Sequence, residues 1–312
     1  MTGGGTYEEG LVSVVLPTLD GSRYIHSSIE SCLAQTYGGF ELIVVDGGSS
    51  DGTLEIVESI ADPRVRLVHQ PGNAGRLSGA LNRGFADARG VYFTWTQDDD
   101  LFAPEALAVM VEGLERRPDA GMVYAGQVFI DDEGTLIRPS LDFEPHDLTW
   151  TNPIGHCFLY RREVAETVGL YDPAFLMAED THYWMRVYRQ STIVRLPGRY
   201  FDHRLHDGNL TGRNYGAYVA LRVSARARRA VLGIAPHEAR RQIAAAYVEE
   251  GYAAYARGDF GHVRACLARA ARRRPRCLAE RGVLLLGARS LGKSVLGHAG
   301  SPRVHASAKG TR

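Results

Sequence analysis

Lysine is almost missing. Lys293 and Lys309 are the only two among 312 residues, so arginine carries nearly all the positive charge. A GC-rich genome explains that bias without any function. Cysteine is scarce too. Cys32, Cys157, Cys266 and Cys277 show neither paired metal spacing nor a disulfide framework. Isolated cysteines in apolar surroundings suit a reducing cytoplasm. Apolar runs are short, and a stretch such as Val283 to Leu286 falls far below the roughly 20 residues that cross a bilayer. Met1 to Gly10 is glycine-rich and acidic, without the basic start and apolar centre of a signal peptide. A cytoplasmic chain with a disordered stretch at 1–10 is expected.

Net charge is absent as well, because 36 basic and 36 acidic residues cancel. Its distribution is uneven. From Arg222 to Arg312 there are 19 basic and 5 acidic residues, a balance of +14, which leaves −14 for residues 1–221. An acidic front and a basic back imply two functional surfaces, and the length allows one large core with an appendage. Arg272, Arg273, Arg274 and Arg276 form a cluster without interleaved aromatic residues, and no DNA- or RNA-binding module accompanies it. That argues against nucleic acid. The cluster reads as a solvated helix face or as a surface for anionic lipid.

What is present is an ordered set of strand ends. Phe40 to Val45 reads as a strand buried on both faces that ends at Asp46, whose carboxylate Gly47 and Gly48 are expected to leave uncovered. Ser49, Ser50 and Asp51 can cap a helix over Thr53 to Ile60. An acid at the carboxyl end of a parallel strand sits at the ligand crevice of an open α/β sheet, where it can bind a nucleobase or ribose. Alone, the same stretch is equally well a capped turn. Leu11 to Thr18 is a second buried strand, and Tyr24, Ile25, Ile29, Cys32 and Leu33 share one face of the helix after it. Val65 to Val68 is a third. Leu77, Leu81, Phe85 and Ala88 make a helical stripe, and Pro104 to Arg117 reads as a helix. Met122 to Ile130 and Leu136-Ile137 read as two strands around Asp131 to Gly134. Glu144 to Pro153, with Trp150, is a candidate binding loop. The region after Tyr218 is mostly helical, with Tyr247 to Pro275 reading as one helix-turn-helix unit.

Asp98, Asp99 and Asp100 directly follow the strand Val91 to Thr96. Three adjacent carboxylates repel one another, and partial burial makes the repulsion worse. A divalent cation relieves it, and oxygen ligands suit Mg²⁺ or Mn²⁺, which also bind diphosphate oxygens. The plainer alternative is a solvated acidic turn.

Taken in order, Leu11 to Thr18, Phe40 to Thr53, Gly75 to Gly84, Gln97 to Pro104 and Gly169 to Arg186 resemble the inverting glycosyltransferases of family 2, over residues 11–211. The resemblance implies an α/β fold of GT-A type, a Rossmann-like sandwich with a mostly parallel central sheet and a C-terminal helical appendage. It implies a glycosyltransferase domain at 11–215, with a nucleotide-sugar half at 11–117 and an acceptor half at 118–215. A basic helical appendage at 216–296 and a disordered tail at 297–312 follow. The implied reaction moves a sugar from a nucleotide-diphosphate sugar, a UDP-sugar first, to an acceptor hydroxyl, with Mg²⁺ or Mn²⁺. The setting it suggests is bacterial polysaccharide or glycoconjugate synthesis, with a sugar or lipid-linked acceptor beside an anionic membrane surface.

The same resemblance distributes the roles. Pro17, Thr18, Asp20, Asp46, Arg76, Asp98 and Asp99 fall around the nucleotide sugar. Asp100, Asp98 and His206 fall near the metal, and Asp180 on the base that deprotonates the acceptor. Glu179, His156, His182 and Trp150 fall on the acceptor side. Departures exist: Asp46-Gly47 stands where the family usually has an acid pair, and Asp20 where it usually has Asn. Gln97 occupies an acid position, for which Asp98 can stand in. A nucleotidyltransferase is the competing reading, but it should carry an early glycine-rich phosphate loop, where this chain has Pro17-Thr-Leu-Asp20. A non-catalytic sugar-binding relative is the third, and Asp180 argues against it.

Overall fold

Uninterrupted apolar runs and helical stripes alternate over the first hundred residues, and the structure turns them into strands and helices in that order. The computed structural model describes residues 7–296, apart from 75, 176, 210–215 and 280. The disorder expected for 297–312 and for the first six residues lies outside the described residues. Glu8 to Gly10 belong instead to the first strand.

The chain begins β1 (Glu8–Thr18), α1 (Ile25–Leu33), β2 (Phe40–Asp46), α2 (Thr53–Glu58), β3 (Val65–His69), α3 (Arg76–Ala86) and β4 (Gly90–Trp95). These strands pair in parallel in the order β3-β2-β1-β4. β2 is buried at every position, as a strand covered on both faces must be. Alternate residues feed opposite faces. Val14, Leu16, Leu42 and Val44 cluster with Ile25 and Ile29 of α1, while Val15, Ile43 and Val45 cluster with Leu81 and Phe85 of α3. Where α3 crosses this second face, a Cβ at Gly84 would lie 2.5 Å from Val15 Cγ1 and 3.1 Å from Val45 Cγ2. Both valines are fully buried. Gly84→Val is therefore expected to cost about 1–3 kcal/mol by overpacking, read as a lower urea midpoint.

The grammar then changes. β5 (Leu101–Phe102), α4 (Ala106–Glu115), β6 (Ala120–Ile130), β7 (Leu136–Pro139), β8 (Phe158–Arg161), α5 (Arg162–Val168), α6 (Glu179–Gln190) and β9 (Thr192–Arg204) follow. β8 enters antiparallel between β4 and β6, and β9 runs parallel to β6, which makes the sheet mixed. The expected pair around Asp131 to Gly134 is β6 and β7. α2 is shorter than expected, with Gly52 rather than a serine at its cap position. Asp51 still accepts the Thr53 amide at 3.2 Å.

The chain divides into two compact units, Met1–Ile234 and Ala235–Arg312. The break falls later than residue 215, where the composition shifts. α7 (Gly216–Ala227) and the π-helical turn Arg228–Leu232 lie in the first unit. There Arg228 is buried, and its Nε donates to the Leu148 carbonyl at 2.8 Å. Basic composition misplaces this stretch because a buried arginine can serve as a backbone donor. The second unit contains α8 (Pro236–Ala256), α9 (Phe260–Arg273) and α10 (Arg281–Leu296), packed through Ala254, Val263, Leu267, Val283 and Leu286. α8 and α9 realise the expected helix-turn-helix. No described helix is long and apolar enough to cross a membrane.

Candidate active site

Parallel pairing sets Thr18 of β1 level with Asp46 of β2, and β4 delivers Gln97 to Asp100 beside them. The carboxyl ends of three strands thus converge on one rim. Pro17 is buried in β1 opposite Val45. Asp46 is only 2% exposed. Its carboxylate accepts the Gly48 amide at 2.9 Å and the Ser49 amide at 3.0 Å. The two glycines therefore do not leave it uncovered, since the loop folds back on the acid. Asp20, at φ 55°, accepts the Ser50 amide at 2.8 Å, and its own amide donates to Ser49 Oγ at 2.9 Å. These bonds tie the β1–α1 and β2–α2 loops together. Arg76 opens α3 with an exposed side chain and φ 54°.

The three aspartates have separate environments. Asp98 Oδ2 accepts from Thr18 Oγ1 at 2.5 Å. Burial pushes its carboxyl up to about 6; the Thr18 bond opposes this, and the Asp99 and Asp100 charges add to it. Gly21 makes this approach possible, because a Cβ there would lie 2.2 Å from Asp98 Oδ2. Asp99 Oδ2 meets His206 Nε2 at 2.9 Å and Asn209 Nδ2 at 3.0 Å, while its Oδ1 is buried without a hydrogen-bond partner. Burial and then the Asp100 charge raise its carboxyl above the ordinary range. Asp100 is fully buried, with Oδ1 accepting the Arg204 amide at 2.8 Å and Oδ2 3.0 Å from His203 Nδ1.

Asp100, His156 and His203 present ligand atoms that all lie within 4.8 Å of one another. Burial pushes His156 down to about 3, the nearby His203 contributing, so its ring is neutral at physiological pH. Its Nε2 lies 3.0 Å from the Gln97 amide nitrogen, which donates to it, and its Nδ1 is buried without a partner. An orphaned carboxylate oxygen on Asp99, a carboxylate on Asp100 and neighbouring imidazoles form a donor set that fits a divalent cation.

Asp180 stands in the first turn of α6, away from the triplet in sequence. Asn152 Nδ2 donates to its Oδ2 at 2.7 Å, and the Thr181 amide donates to its Oδ1 at 2.5 Å. Burial raises its carboxyl above the usual range, against those bonds. Beside it, Glu179 is 8% exposed and is pushed up to about 7 by burial and by the Asp180 charge. Loop 152–156 touches both halves of the site, since Asn152 holds Asp180 and His156 meets Gln97. Asn152→Ala is expected to lower kcat by roughly tenfold with little change in donor affinity, because it frees the Asp180 carboxylate to rotate. Steady-state kinetics and calorimetry on the same variant check both halves.

Other expected residues lie at the margin. His182 is 6% exposed, stacks on Phe175 at 3.6 Å, and burial pushes it down to about 4. Trp150 is 51% exposed, with its indole nitrogen on Asp147 at 3.0 Å and its ring edge-on to Phe143. Neither joins the carboxylate cluster. Sequence reasoning passed over Gly21, Asn152, Arg204 and Asn209. Arg204 donates to the Asp99 carbonyl at 3.0 Å. Arg204 and Asn209 flank His206 at short range, and that proximity was the available signal.

Residues 13–169 match the family model of Glycosyl transferase family 2. An uncharacterized glycosyltransferase of Rickettsia typhi is 30% identical over 218 residues, covering 64% of this chain and 66% of that one. Another, from Rickettsia prowazekii, is 30% identical over 206 residues, covering 62% of each. The chain thus spans about two thirds or less of the curated relatives it matches. Among solved structures, S. aureus TarS 1-349 in complex with UDP-GlcNAc superposes with a TM-score of 0.61 at 17% identity over 92% of each chain. The mannosyltransferase PcManGT from Pyrobaculum calidifontis, in complex with GDP-Man and Mn²⁺, gives 0.59 at 21% identity, over 92% of this chain and 80% of that one. These likenesses show the fold, the α/β GT-A arrangement with a C-terminal helical part. With about half of its residues under the family model and its fold in agreement, the chain belongs to glycosyltransferase family 2.

Proposed function

We propose that the protein moves a sugar, with inversion at the anomeric carbon, from a nucleotide-diphosphate sugar to an acceptor hydroxyl. The observation that carries this reading is the convergence of Thr18, Asp46 and Asp98 to Asp100 on one rim, linked by loop 152–156 to the buried carboxylate of Asp180. The solved neighbours that hold UDP-GlcNAc or GDP-Man support a nucleotide-sugar donor, and a UDP-sugar is the first to try. The acceptor oxygen attacks the anomeric carbon, the carbon–oxygen bond to the diphosphate breaks, and Asp180 takes the hydroxyl proton. Asn152 and Thr181 aim the Asp180 carboxylate, while Thr18 holds Asp98. Asp99 and His206 would hold Mg²⁺ or Mn²⁺, with the Asp100–His156–His203 group behind them. A cation bound there supplies Lewis-acid stabilisation of the charge on the departing diphosphate. Titrating UDP-, GDP- and dTDP-sugars by calorimetry, with and without Mn²⁺, tests the donor. Absence of binding to all of them would sink the reading.

Both carboxyls of the Glu179–Asp180 pair sit above their usual range. A base must be unprotonated, so transfer is expected to rise with pH along a limb centred above the ordinary aspartate range. A kcat/KM profile checks this. An ascending limb centred near the ordinary aspartate value of about 4 would rule out a buried base.

The second unit is proposed to rest on the inner membrane surface beside a lipid-linked acceptor. Arg272, Arg273 and Arg276 are exposed on it, and each basic residue at an anionic surface is worth about 1 kcal/mol. Co-sedimentation with vesicles should then require anionic lipid and weaken with salt. Indifference to lipid charge would leave these arginines a solvated face.

A further inference from the structure

A cavity of about 260 Å³ opens between the β6–β7 hairpin and loop 152–155, with room for roughly nine waters. That volume suits one sugar ring with a small substituent. Its walls include Phe129, Arg138, Asp142, Phe143, Asn152 and Arg195. Asn152 is the side chain that donates to Asp180, so whatever fills the cavity lies one residue from that carboxylate. The charges in the wall do not cancel. Arg195 bonds Glu144 at 2.9 Å and lies 3.4 Å from Asp142, which also meets Arg199 at 3.3 Å. Arg138 is the remaining cation. Its guanidinium lies 4.1 Å from the centre of the Phe129 ring, makes no ion pair among the described residues, and donates one long hydrogen bond, from Nη1 to the Pro139 carbonyl at 3.5 Å. Among the lining residues, Arg138 and Arg195 against Asp142 leave one positive charge beside two aromatic rings.

We propose that this cavity is the acceptor pocket and that Arg138 selects acceptors carrying an anionic group, a phosphate on or next to the sugar. The inference rests on the glycosyltransferase reading and extends it to acceptor class. A planar guanidinium with free donors binds a phosphate through charge-assisted hydrogen bonds, and the aromatic rings supply an apolar wall for a sugar face. Donor and acceptor are thereby read by separate residues, since no part of the Asp98 to Asp100 cluster lines this cavity.

The test uses the full chain with its donor site filled by excess UDP and Mn²⁺. Glucose and glucose 1-phosphate are titrated in parallel by ligand-observed NMR. Glucose 1-phosphate is expected to bind at least about tenfold more tightly than glucose, the factor a charge-assisted bond provides. Arg138→Gln should erase that preference and Arg138→Lys should retain part of it, with UDP affinity unchanged in both. Farnesyl phosphate as competitor separates the sources: displacement stronger than by glucose 1-phosphate assigns the phosphate to a lipid, and weaker displacement assigns it to a soluble sugar. Equal binding of glucose and glucose 1-phosphate, or a preference that survives in Arg138→Gln, overturns the proposal. UDP titrated alone keeps the two failures apart. If UDP binds and the phosphate preference is missing, the acceptor inference fails by itself; if no nucleotide binds, the donor reading fails.

Discussion

Asp180→Asn should lower sugar transfer by roughly a hundredfold to ten-thousandfold, the range a positioned general base contributes. The substitution keeps size and most hydrogen bonding. Asn152 Nδ2 can still donate to the side-chain oxygen of the new residue, and the Thr181 amide lies close by. What is lost is the capacity to take a proton. Donor affinity should therefore stay near wild type while kcat collapses. The variant should also melt somewhat lower, because its side-chain NH2 must face one of the two donors, Asn152 Nδ2 or the Thr181 amide, that the carboxylate oxygens accept. A change confined to donor affinity, with turnover near wild type, would move the base elsewhere. Glu179 is next in line, since it neighbours Asp180 and is itself pushed up to about 7.

The second large effect is expected at Asp99. Its Oδ1 is buried with no partner, and its Oδ2 is shared by His206 and Asn209. Asp99→Asn should cost a hundredfold or more in transfer, about 3 kcal/mol of barrier. Excess EDTA should reproduce most of that loss in the wild type and add little to the variant. Asp100→Asn is a different experiment. Both Asp100 oxygens already face donors, the Arg204 amide and His203, so its loss disturbs the β9 end as well as the cluster. Thermal melts distinguish the two: Asp99→Asn should melt near wild type, and Asp100→Asn lower. Full activity of the wild type in EDTA would remove the metal from the account.

Much of the site was legible because its parts are strand ends. A strand buried on both faces takes a carboxylate only where partners hold it or where the strand leaves the sheet: Ser13 and Arg89 hold Glu41 at the start of β2, while Asp46 and Asp98 to Asp100 mark where β2 and β4 stop. Sequence order alone therefore placed them on one rim, given parallel pairing. The environment of each acid was not legible. Gly47 and Gly48 suggested an open carboxylate at Asp46, but two loop amides close over it. The Asp98 to Asp100 run left open which acid bonds the metal, because successive residues point in different directions. One meets Thr18, one meets His206 and one meets His203.

The parallel half of the sheet, the identity of the acids at its rim and the helical character of the C-terminal region are already written in the order of residues. Those features follow from local periodicity and from the cost of burying charge, which operate over a few residues. That Asn152 aims Asp180, that Gly21 makes way for Asp98 and that Arg228 belongs to the first unit emerge only on folding. Those contacts join residues 28, 77 and 80 positions apart. Such pairs carry no periodic signature, because they are set by how whole elements pack and not by the spacing of neighbours along the chain.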